Sequence, residues 1–104
     1  MASLSAVTLG ELQAGMELTR EQDEEKAAAI EAWIDDVELA WNILPMDAAA
    51  FRLWARLMHG KPDRLIEDAM IAATALLHGL TVATRNLRDF ERLEVPAFDP
   101  FTFR

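Results

Sequence analysis

A chain of 104 residues suits one domain around one hydrophobic core, and no linker-like stretch divides it. Its 52% hydrophobic content, with no apolar run long enough to cross a bilayer and no secretory pattern in Met1 to Ser5, reads as a soluble, cytoplasmic protein. The lack of cysteine removes disulfides, thiolate zinc sites and cysteine nucleophiles, and a formal charge of −8 argues against a broad basic nucleic-acid surface unless carboxylates converge on divalent cations.

Leu4 to Val7 is a short apolar stretch, and Thr8 followed by Glu11 matches a capping box, so a strand leading into a helix is expected there. Helical spacing runs through Leu12 and Met16, meets the charge run Gln22-Asp23-Glu24-Glu25-Lys26, and resumes with Ile30, Trp33, Ile34 and Val37 on one face. This predicts one bent helix or two in succession, with the charge run as a solvated helix start. Asn42-Ile43-Leu44-Pro45 reads as a short strand closed by proline, and Asp47 as the cap of a helix whose buried stripe is Phe51, Trp54, Ala55 and Met58. Gly60 and Pro62 stop that helix. Another runs from Leu65 to His78, with Gly79 placed as a left-handed cap. Leu80 to Thr84 has the β-branched content of a buried strand, Leu87 to Leu93 forms a helical turn, and Val95 to Phe98 a last strand.

Strands alternating with helices imply right-handed crossovers and a mainly parallel sheet covered by helices. In such folds, sites gather at the carboxyl ends of the strands. Glu11 follows the first strand, Asn86 and Asp89 follow the third, and Asp68 lies in the first turns of a helix that reaches the same edge if it starts there.

Each of these residues also has an ordinary structural reading. Glu11 fits a capping glutamate, which on local sequence alone stands ahead of a site role. Asp68 fits a carboxylate favoured by the helix dipole, although its apolar neighbours Ala69 to Ala73 would leave it wanting a charged partner. Asp89 fits another helix-start acid, and Asn86 a turn residue. Taken together, acids and an amide at several loop edges of one sheet face are what an oxygen-ligand magnesium or manganese site requires. Arg85, Arg88 and Arg92 flank Asn86 and Asp89, where guanidinium groups suit a phosphate. His59 and His78 read as helix C-terminal residues, and Trp33, Trp41 and Trp54 as core rather than base-stacking platforms. No serine triad, phosphate-binding loop or dinucleotide fingerprint is present, so nucleotide cofactors are not expected.

Ser5-Ala6-Val7-Thr8-Leu9-Gly10-Glu11-Leu12 resembles the second-strand motif of bacterial PIN-domain toxins. Asp68-Ala69-Met70-Ile71-Ala72-Ala73-Thr74-Ala75, then His78-Gly79-Leu80-Thr81-Val82-Ala83-Thr84-Arg85-Asn86, then Asp89-Phe90, resemble that family's C-terminal half in order and spacing. Asn42-Ile43-Leu44-Pro45-Met46-Asp47 and Phe98-Asp99-Pro100-Phe101 are similar to its usual phrases, so the resemblance to the PIN-domain, VapC-type toxin ribonucleases covers nearly the whole chain.

The resemblance implies a three-layer α/β fold and a Mg2+- or Mn2+-dependent endoribonuclease of a toxin-antitoxin module. It places Glu11, Asp68 and Asp89 at acidic catalytic and metal-ligand positions, Asp68 foremost, with Asn86, Arg85 and Thr84 in support or at the substrate phosphate. It also implies an RNA substrate, a cognate antitoxin and a homodimer. Members of the family open with a strand bearing an Asp-Thr-Asn-type motif, ahead of the segment that Leu4 to Glu11 resembles. Residues 1–104 are therefore expected to lack that strand and its aspartate, to be supplied upstream or by strand exchange with a second copy. The alternative is a PIN-like fragment that dimerises or binds an antitoxin without cutting RNA. A phospho-accepting receiver domain is a third possibility, but neither Lys26 nor Lys61 follows a strand as a receiver's lysine would.

Overall fold

The computed structural model describes residues 3–100, so Phe101 of the family-like ending and the start of the Met1 to Ser5 stretch lie outside the described residues. The chain divides into two units, one ending at Pro45 and one beginning at Met46.

In the first unit, strand β1 (Ser3–Ser5) passes directly into helix α1 (Ala6–Arg20), followed by helix α2 (Glu24–Ala40) and strand β2 (Asn42–Leu44). Ser5 caps α1, its hydroxyl accepting from the Val7 amide at 3.1 Å. The capping box expected at Thr8 and Glu11 is therefore corrected, since both lie inside a helix that begins three residues after β1 starts. The charge run does open a helix, with Asp23 accepting from the Lys26 amide at 3.0 Å. The two helices form the crossover between β1 and β2, which pair in parallel with Leu4 opposite Ile43. Met16, Ala27 and Ile34 are buried together, with Leu9, Leu12 and Ile30 packed against them.

Trp33 is not core: it is 54% exposed, and Trp41 is exposed as well. The inward line of α2 runs through Ile30, Ile34 and Val37, and Trp33, one residue before Ile34, is turned about 100° away from it.

In the second unit, helix α3 (Ala48–Met58) leads through a 3-10 turn (Asp63–Leu65) into helix α4 (Ile66–Leu77), then strand β3 (Val82–Ala83), helix α5 (Leu87–Arg92) and strand β4 (Ala97–Phe98). Asp47 caps α3 as expected, accepting from the Ala50 amide at 3.0 Å. Gly60 and Gly79, at φ 76° and 64°, take the left-handed turns after α3 and α4 that a side chain would resist. Phe51 and Ala55, expected in the α3 stripe, are exposed instead, because the inward face runs through Ala50, Trp54, Leu57 and Met58. The Trp54 indole N–H donates to the Ile66 carbonyl at 3.0 Å, tying α3 to the start of α4.

Strands β3 and β4 pair in parallel, Val82 opposite Ala97, with α5 as their crossover. The core of this unit is Leu65, Ala69, Ala72, Ala75, Val82, Phe90, Leu93 and Val95. Three alanines on one side of α4 bring its backbone close to β3 and α5. The architecture is α/β with parallel strands joined by helices, and among the described residues no helix is long and apolar enough to cross a membrane.

Candidate functional site

Two short elements of the second unit aim polar side chains at one point. Asp68 is the third residue of α4, held in place by Ala69, Ala72 and Ala73 buried behind it. Asn86 and Asp89 come from the turn after β3 and the first turn of α5, fixed by the buried pair Val82 and Phe90. Burial of these neighbours fixes the backbone positions from which the three polar side chains project.

The Asn86 side-chain amide joins the two acids, since Nδ2 donates to Asp68 Oδ2 at 3.2 Å and also to Asp89 Oδ2. Its side chain does not cap α5, and its φ of −92° needs no unusual residue, so the plain turn reading explains little of it. The turn itself is tied by Thr84, whose Oγ1 accepts from the Asn86 amide at 2.9 Å. Thr84 thus supports the cluster through the backbone, and Arg85 lies exposed between the two.

The two carboxylates differ in their environment. Burial first, and then the neighbouring charge of Asp89, push the Asp68 carboxyl above its usual range, against the weaker pull of the Asn86 hydrogen bond. Asp89 is held below its usual range, first by its hydrogen bond with Arg64 and then by that with Asn86. Arg64 Nη1 donates to Asp89 Oδ1 at 2.8 Å, so Oδ1 and Oδ2 of Asp89 are each engaged.

Sequence reasoning missed Arg64. Its spacing four residues before Asp68 was a visible signal, but its ion-pair partner lies 25 residues away across the fold. Glu11 is exposed on α1 in the first unit, whereas Asp68, Asn86, Asp89 and Thr84 gather in the second. His59 and His78 occupy the C-cap positions of α3 and α4, as expected from sequence.

Among the described residues no group of three or more His, Cys, Asp or Glu side chains is placed to hold a metal ion. The Asp68–Asn86–Asp89 cluster nevertheless fits a hard divalent cation in kind, because it offers two carboxylates and no sulfur or imidazole. Magnesium is commonly held by one or two carboxylates, with waters and phosphate oxygens completing the shell. A cation would also offset the charge that burial makes costly at Asp68.

Comparison with known proteins gives a consistent picture. The PIN domain family model matches residues 2–96. Ribonuclease VapC1 of Rickettsia felis is 32% identical over 97 residues, which cover 89% of this chain and 71% of that protein. Toxin FitB of Neisseria gonorrhoeae is 34% identical, with 94% of this chain and 74% of that protein covered. Among solved structures, FitAB bound to a DNA fragment superposes with a TM-score of 0.80 at 31% identity, over 98% of this chain and 75% of that one. A member of the VapBC family of toxin-antitoxin systems, VapBC-5 from Mycobacterium tuberculosis, gives 0.70 at 32% identity, over 91% and 79%.

Proposed function

The chain belongs to the PIN domain family, and from that premise we propose that it is a VapC-type toxin that cleaves RNA phosphodiesters with a divalent cation held at Asp68 and Asp89. The observation that carries this reading is the amide of Asn86 holding two carboxylates of unlike environment at one spacing.

When bound, magnesium or manganese supplies Lewis-acid stabilisation of phosphate charge and makes a water more acidic. The chain's own residues do the rest. Asp68 and Asp89 supply the carboxylates, and Asn86 keeps them from swinging apart. Thr84 fixes the turn that presents Asn86, and Arg85, next to it, offers a guanidinium fork suited to a phosphate oxygen.

The reading extends to partners. VapBC-5 is by description a member of a family of toxin-antitoxin systems and FitB is by name a toxin, and a cognate antitoxin is the corresponding partner here. A non-enzymatic reading, in which the chain only docks an antitoxin or a second copy of itself, draws support from apolar side chains open to solvent: Trp33, and Leu39, which is 88% exposed. Single-turnover cleavage of a single-stranded RNA, with Mg2+ or Mn2+ and again with EDTA, separates the two. Cleavage that needs the cation supports the nuclease. No cleavage with either cation leaves the docking role, and cleavage that persists in EDTA removes the cation from the mechanism.

A further inference from the structure

At the Asp68–Asn86–Asp89 cluster, one positive charge of the chain itself stands beside a carboxylate. Arg64 Nη1 is 2.8 Å from Asp89 Oδ1, on the opposite side of the carboxylate from Asn86. The Asp89 side chain is 14% exposed, whereas that of Arg64 is 52% exposed. One partner is therefore held by enclosure and the other reaches in from solvent. Arg64 sits in the 3-10 turn directly ahead of α4, so the segment that orients Asp68 also delivers this guanidinium.

We propose that Arg64 is a built-in counter-ion, a positioning residue that pairs with Asp89 and competes with a divalent cation for that carboxylate. This rests on the reading of Asp68 and Asp89 as cation ligands. The competition follows from geometry and charge together. A cation that takes Asp89 Oδ1 must displace the Arg64 hydrogen bond, and one that does not still meets a positive charge beside its ligand. Because Arg64 is half exposed, displacement lets its guanidinium turn into water and costs little.

A merely structural Arg64 makes the opposite prediction. If it only pinned Asp89 in a ligand-ready direction, its removal would loosen cation binding. The test is calorimetric titration of Mn2+ into the full chain, comparing the unaltered protein with Arg64→Gln, Arg64→Met and Arg64→Lys, each checked for folding by thermal melt. The two neutral variants are expected to bind Mn2+ about two- to fivefold more tightly, the range that an exposed ion pair allows. Arg64→Lys, which keeps the charge, is expected to stay within about twofold of the unaltered protein. An unchanged or weakened affinity in both neutral variants overturns the competition while leaving the cation site standing. If no form binds Mn2+, the cation-ligand reading fails and the competition falls with it.

Discussion

Asn86 has a single side-chain nitrogen serving two acids, and that one amide ties the chemistry of Asp68 to that of Asp89. Asp68 bears the cost. Its folded-state carboxyl titrates above the ordinary value, so the ionised form is less favourable in the fold than in the unfolded chain. That penalty is fully present above the folded value and disappears as the pH falls below the unfolded one. The neutral Asp68→Asn variant is therefore expected to melt about 1–4 °C higher at pH 7, with the gain shrinking toward pH 3. Thermal melts at both pH values decide it, and a lower melting temperature at pH 7 would contradict the environment assigned to Asp68. Glu31 has the opposite sign. Its hydrogen bond from Arg20 at 3.0 Å, helped by Gln13, holds it below its usual range. Its contribution is present above the unfolded value and lost as the pH falls through the folded one. Glu31→Gln should therefore destabilise the chain at pH 7 and have little effect at pH 2–3. An equal effect at both would show that the pair does not depend on charge.

At the scale of elements, the junctions carry the site. Gly79 ends α4 at φ 64° with open space around the position of a Cβ, so Gly79→Ala should cost about 1 kcal/mol through conformation alone in urea unfolding. A neutral result would mean that the turn relaxes freely. Phe90, 2% exposed, anchors α5 beneath Asp89, and Phe90→Ala is expected to cost about 3–5 kcal/mol. Element order was largely legible in the sequence because turn chemistry announced it: Asp23, Asp47, Gly60 and Gly79 cap or stop helices where their residue types predict. The start of α1 was not, because Ser5 and Thr8 are both good caps and only the strand pairing of Ser3–Ser5 decides between them. Trp33 and Phe51 both fit an apolar helical spacing, but the packed lines run beside them, through Ile30 and Ile34 in α2 and through Ala50 and Trp54 in α3. The Asp68–Asn86–Asp89 cluster was legible as residues, but the Arg64 contact was not, since a guanidinium's partner is set by side-chain reach and not by spacing.

At the scale of the whole chain, charge is distributed unevenly. Ten of the 18 acidic residues and two of the ten basic ones lie at or before Pro45, so the full −8 belongs to the first unit and the second is balanced. The acidic composition therefore does not oppose RNA binding at the second unit, where Arg85, Arg88 and Arg92 flank Asn86 and Asp89 in the sequence. Those three arginines set an expected slope of about −2 for log affinity against log salt on single-stranded RNA. Arg88→Ala and Arg92→Ala should each make it shallower by about 0.7, whereas a slope unmoved by both would place the RNA elsewhere. The central claim is that Asp68 and Asp89 form a cation-dependent nuclease site, and its most direct test is single-turnover RNA cleavage in Mn2+ by the unaltered chain and by Asp68→Asn. Cleavage by the former is expected, with a loss of about a hundredfold or more in a variant that still melts cooperatively. Equal cleavage by both proteins would contradict it.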